Sequence, residues 1–164
     1  NTQLKVCLVA KMRCAGTTRI GLVGYGAIGG TVARAIRDGK CGERCKLVSV
    51  LARKERQASE GVQVFSSERQ SNAFEQFLAS DWDLCIEAAG QETVRKYGVP
   101  ILSSGKDLLL TSIGALTDDG LYSKLLETSR SHGTKLHLCS GSMPGLDWMQ
   151  AAAIAAEDDE SLHT

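Results

Sequence analysis

The chain has 164 residues, of which 43% are hydrophobic, and Lys+Arg and Asp+Glu stand at 19 each for a formal net charge of zero. This suits one globular domain with a real core and excludes a disordered chain. The balanced charge gives no basic face for nucleic acid or an anionic membrane, and no apolar stretch approaches the roughly 20 residues of a spanning helix.

Residues 1–18 read as an N-terminal arm of uncertain structure. L-K-V-C-L-V-A (4–10) is strand-like but too short for a signal-peptide core with its cleavage site. The ordered pattern begins with a strand over 19–23 and a helix over 28–38. A strand over 46–51, a loose polar stretch over 52–61 and a short strand over 62–65 follow. Helical spacing returns over 72–78, then a buried strand over 83–88 and a helix over 91–103 that Pro100 is expected to kink or split. A strand over 107–112 and a helix over 118–131 come next, with Gly133 placed to end the helix. A strand over 135–140 and a helix over 146–156 complete the series. Apolar strands alternating with helices predict an α/β fold, a doubly wound parallel sheet of the Rossmann type with helices on both faces. Seventeen glycines against two prolines fit tight strand–helix turns rather than a Pro-rich linker.

The first strand runs into G-L-V-G-Y-G-A-I-G-G (21–30), which contains Gly24-x-Gly26-x-x-Gly29. In a strand–turn–helix setting each glycine has a mechanical reason. Gly24 permits the tight turn, Gly26 lets a pyrophosphate approach the backbone, and Gly29 lets the helix pack close to the strand. The helix N-terminus then favours phosphate. At the end of the second strand, V-L-A-R-K-E-R places Ala52 where an NAD-binding domain carries an acid for the ribose 2′-hydroxyl. Arg53, Lys54 and Arg56 follow, so NADP is favoured over NAD.

The six cysteines (Cys7, Cys14, Cys41, Cys45, Cys85 and Cys139) form no C-x-x-C pair. Cys41 and Cys45 lack nearby histidines for a zinc site, so no metal is expected, and reduced thiols fit a cytoplasmic protein. Cys85 and Cys139 lie in apolar strand-like runs where buried thiols are common.

Three further motifs accumulate: C-I-E-A-A-G-Q-E-T-V (85–94), L-L-L-T-S-I-G-A-L-T-D (108–118) and L-C-S-G-S-M-P-G-L-D (138–147). With G-Y-G-A-I-G they resemble the L-aspartate dehydrogenase family over about residues 19–156. The homoserine dehydrogenase nucleotide domain is the related competitor. The resemblance implies oxidation of L-aspartate to iminoaspartate by hydride transfer to NAD(P)+. The product hydrolyses to oxaloacetate and ammonia or feeds NAD biosynthesis. It also implies cofactor contacts at Tyr25, Ala27 and Ile28 beside the three glycines. Others fall at Ala89 and Gly90 after the fourth strand, at Ser112 and Gly114 after the fifth, and at Ser142 through its backbone. Arg53 and Lys54 complete the set. Met143-Pro144 departs from the smaller residues usual in the family's linker turn.

In that family a second domain supplies the catalytic histidine and most of the substrate pocket. By resemblance it would begin after residue 156, where this chain has the acidic tail 157–164. His132, His137 and His163 fit structural or surface roles, so no catalytic residue is assigned. The expected function is thus the cofactor-binding portion (19–156) of an aspartate-dehydrogenase-type oxidoreductase acting on a small amino acid. The alternatives are a non-catalytic NAD(P)-binding module or regulatory subunit, and a homoserine-type dehydrogenase. Apolar residues Met143, Trp148 and Met149, with the small-residue run A-A-A-I-A-A (151–156), predict a homo-oligomer.

Overall fold

The computed structural model describes residues 16–58 and 60–139. The arm to residue 15, Ser142, Met143-Pro144, the helix expected over 146–156, the apolar patch around Trp148, His163 and the acidic tail lie outside the described residues.

Successive residues of β1 (Thr18–Val23) point to opposite faces, and nearly all of them are buried. This is the signature of a strand covered on both sides. Around it lie α1 (Ala27–Arg37), β2 (Cys45–Ala52), β3 (Gln63–Ser66), α2 (Ala73–Ala79) and β4 (Leu84–Glu87). Then come α3 (Gln91–Ser103), β5 (Asp107–Leu110), a 3-10 turn (Ile113–Thr117), α4 (Asp119–His132) and β6 (Leu136–Leu138). The six strands form one sheet in the order β3-β2-β1-β4-β5-β6, and every pairing is parallel. The predicted α/β fold is the observed one.

Two cores flank the sheet. Ile20, Leu22, Val50 and Ile86 pack with Ala33 and Ile36 of α1. Val23, Leu51, Cys85, Leu108 and Leu110 pack with Phe77 of α2, Val94 and Ile101 of α3, and Leu125 of α4. Right-handed crossovers explain the split. The β1-to-β2 crossover runs one way along the sheet and puts α1 on one face. The crossovers from β3 through β4 and β5 to β6 run the other way and put α2, α3 and α4 on the opposite face.

At the amino end of the sheet, Arg19 ties β1 to β4. Its backbone N–H and Nε donate to Asp83 Oδ2 at 2.9 and 3.1 Å, and Nη2 donates to Oδ1 at 2.6 Å. Arg19 also pairs with Asp81. The Arg19 side-chain hydrogen bond holds the Asp83 carboxyl below its ordinary pKa, with the Arg19 backbone amide adding to it.

Two differences from the sequence reading have physical causes. Pro100 does not split α3, which runs unbroken from Gln91 to Ser103. It withholds one N–H, and the buried Ile101 and Leu102 that follow it hold the last turn in the helix. The S-I-G-A-L segment, expected as a loop, tightens into the 3-10 turn because Ser112 is anchored at its start. Gly133 ends α4 in the left-handed region at φ 66°, as the sequence predicts.

Candidate functional site

The strand order reverses between β1 and β4. Chains leaving their carboxyl ends diverge there, and in open α/β sheets that crevice takes the ligand. A cleft of about 550 Å³ opens at this point. Its floor is Val23 and Gly24 from β1, Leu51 and Ala52 from β2, and Ala88 and Ala89 beyond β4. Glu92, Thr93, Lys96 and Tyr97 of α3 form one wall, and Arg53, Lys54, Arg56 and Ser67 stand at the β2 side.

The glycine turn is built by close packing. Gly24 has φ +96°, and a Cβ there would lie 2.5 Å from the Ala88 carbonyl oxygen. A Cβ on Gly29 would run into the Gly24 carbonyl, so α1 can approach β1 only with glycine there. Gly26 is different, because no heavy atom beyond its own chain neighbours lies within 4 Å of where its Cβ would be. Its glycine leaves open space rather than relieving a contact. Gly26 is also the N-cap of α1, with no side-chain cap and no acid in the first turn. The positive end of the helix therefore meets open space. By contrast, Asp118 caps α4 through Leu121 N–H at 3.0 Å. These observations fit a pyrophosphate above Gly26.

The β2 side is organised by β3. Ser67 N–H donates to Ala52 O, Glu68 N–H to Arg53 O, each at 3.0 Å, and Ser66 Oγ to Arg53 O at 3.1 Å. These bonds bring Ser67 beside the exposed Arg53. Arg53 is loosely paired with Glu68 at 3.6 Å, and Arg69 neutralises Glu55 at 2.8 Å. Among the described residues Lys54 and Arg56 have no ion-pair partner. Across the cleft Lys96 Nζ lies 4.9 Å from the Tyr97 ring centroid. A hydrogen bond with the Tyr97 side chain raises the Lys96 pKa above its ordinary value. Tyr97 itself stacks on Phe74 at 4.0 Å. Ser67, Lys96 and Tyr97 are absent from the sequence reading, because only tertiary packing brings them to the cleft.

Of the residues expected from sequence, the cleft gathers Gly24, Tyr25, Gly26, Arg53, Lys54 and Ala89. Ala27 and Ile28 sit on the exposed first turn of α1, with Ile28 61% exposed, and Gly29 is buried beneath it. Gly90, Ser112 and Gly114 lie toward β5, outside the cleft lining, and Glu87 holds the first two. That carboxylate, 2% exposed at the end of β4, accepts Ala89 N–H and Gly90 N–H at 2.8 Å each. It also accepts Ser112 N–H and Ser112 Oγ at 3.1 Å each. Glu87 carried a signal in sequence, a charge ending the buried run L-C-I-E. Neither described histidine lines the cleft: His132 Nδ1 lies 3.0 Å from Thr128 O, and His137 Nε2 lies 3.8 Å from Asp107.

A doubly wound sheet with a glycine turn at its switch point defines a dinucleotide-binding domain. A family model described as the homoserine dehydrogenase NAD binding domain matches residues 24–139. The chain belongs to that family. It is 35% identical to an L-aspartate dehydrogenase of Methanospirillum hungatei, covering 89% of this chain and 55% of that one. With the Methanocaldococcus jannaschii enzyme of the same name identity is 32%, over 89% and 54%. The resemblance to L-aspartate dehydrogenases read from the motifs is borne out, and the chain spans about half the length of the curated relatives it matches. Among solved structures, aspartate dehydrogenase from Thermotoga maritima matches with TM-score 0.59 at 21% identity, over 82% of this chain and 50% of that one. Biliverdin reductase from Synechocystis, solved with biliverdin and NADP+, matches with TM-score 0.55 at 21% identity, over 74% and 37%. At that identity these likenesses speak for the fold.

Proposed function

We propose that this chain is the NADP-preferring nucleotide domain of an L-aspartate dehydrogenase. The observation that carries the reading is the cleft at the switch point, with open space over Gly26 and uncommitted cations beyond β2. Gly26 and the first amides of α1 would hold the pyrophosphate. Arg53, Lys54, Arg56, Ser67 and Lys96 would hold the 2′-phosphate, Arg in forked geometry. Ala52, small and apolar, offers no carboxylate to the 2′-hydroxyl. The bound cofactor supplies the hydride acceptor, and this domain's task is to orient it and shield it from water.

The substrate assignment is supported by the L-aspartate dehydrogenases among the relatives. The family description supports a second reading, a homoserine-type dehydrogenase. The reading includes self-association through the apolar residues Met143, Trp148 and Met149 seen in sequence. It also includes a cytoplasmic setting, in keeping with the thiols of Cys41, Cys45 and Cys85. The test is an NADP+ reduction assay with L-aspartate and, separately, L-homoserine on a form that also carries the family's second domain, since this domain alone is expected to bind cofactor without turnover. Faster reduction with aspartate is expected. Faster reduction with homoserine, or none with either while the cofactor binds, would overturn the assignment.

A further inference from the structure

We infer that Glu87 is a positioning residue that sets the nicotinamide end of the cleft. The inference rests on the dinucleotide reading above and extends it to a residue outside the cleft lining. Glu87 is the last residue of β4, 2% exposed, on the β5 side of the switch point. Its Oε1 accepts Ala89 N–H, Gly90 N–H and Ser112 Oγ, and its Oε2 accepts Ser112 N–H. A buried carboxylate is tolerable only with such compensation, so neither loop can move without leaving the charge unmet. The loop after β4 and the turn after β5 are thereby joined across 25 residues of sequence.

A second observation places the same loops in contact. A Cβ on Gly114 would come within 2.6 Å of the Gln91 side-chain nitrogen, so the 3-10 turn closes against the start of α3. A dinucleotide crossing the switch point lays its adenosine half over the β2 side, where Arg53 and Ser67 stand. Its other half then lies over β4 and β5. The loops fixed by Glu87 border that second half. Glu87 lends them a fixed shape without touching the cofactor.

This division between halves gives a selective test. NADPH would be compared with 2′,5′-ADP, and NADH with ADP, by calorimetry on the wild-type chain, Glu87→Gln and Ser112→Ala. The wild type is expected to bind each dinucleotide more tightly than its adenosine half. In Glu87→Gln that advantage should fall about tenfold, the scale of a lost charge-assisted hydrogen bond, while the adenosine halves bind within about twofold of wild type. Ser112→Ala keeps the carboxylate and should lower the advantage by about threefold, which serves if Glu87→Gln does not fold. A role confined to folding would weaken both members of each pair together and would overturn the inference. So would a wild type with no dinucleotide advantage, or variants that keep it intact. If the wild type binds neither dinucleotides nor halves, the dinucleotide reading itself fails, and this inference with it.

Discussion

Gly24 and Ala88 lie in backbone contact: a Cβ on Gly24 would stand 2.5 Å from the Ala88 carbonyl oxygen and 2.8 Å from the Ala89 Cα. The turn from β1 into α1 thus rests directly on the loop that leaves β4. With φ at +96°, any side chain at Gly24 also strains the backbone.

Gly24→Ala should therefore lower folding stability by about 2 kcal/mol or more and abolish nucleotide binding. Gly26→Ala meets nothing within 4 Å and should cost at most about 1 kcal/mol, the scale of an altered N-cap. It should still weaken dinucleotide binding, because the new methyl fills the space reserved for phosphate. Urea unfolding and calorimetry on both variants check the contrast. Equal stability losses would contradict it.

Lys96→Gln removes a cation from the α3 wall. NADPH affinity should drop by about threefold or more while NADH affinity holds, and the difference should shrink as salt rises. Paired titrations at low and high ionic strength read it directly.

Ser49 lies buried in β2, and its hydroxyl has no hydrogen-bond partner among the described residues. Ser49→Ala removes that unmet group and should raise stability by about 1 kcal/mol. A rise in the urea midpoint at unchanged slope would bear this out, and a fall would mean that the hydroxyl has a partner.

Acid should weaken the Arg19–Asp83 tie. Arg19 lowers the folded-state pKa of Asp83, so the folded protein keeps this carboxylate ionised where the unfolded chain takes up a proton. The resulting stability is present above the ordinary aspartate value of about 3.9 and is lost as pH falls through the lower folded value. The pair is half-exposed, so solvent screens it and the effect is modest. Unfolding of Asp83→Asn and wild type at neutral and acid pH should show a difference that narrows on acidification.

What the sequence disclosed was local. Gly24, Gly26 and Gly29 announce a turn because strand, turn and helix are adjacent in the chain, and β2 announces its cationic end because Ala52 and Arg53 are consecutive. The alternation of apolar strands and helices carries a parallel sheet covered on both faces. Ser67 and Lys96 were hidden because they reach the cleft from just beyond β3 and from α3. Glu87 showed in sequence only as a charge ending a buried run; its role was hidden, since its partners Ala89 and Ser112 meet only after β4 and β5 pair. Pro100 misled because the burial of Ile101 and Leu102 beyond it, which spacing alone does not tell, keeps the helix whole.

In the proposed function, the cleft at the β1–β4 switch point takes a nicotinamide dinucleotide with its 2′-phosphate among Arg53, Lys54 and Arg56. Calorimetric titration of the purified chain with NADPH and, separately, NADH tests it most directly. Saturable binding of both is expected, at least about tenfold tighter for NADPH. Binding of neither would mean that the Gly24–Gly29 turn only joins a strand to a helix, and tighter binding of NADH would contradict the role given to the cations beyond β2.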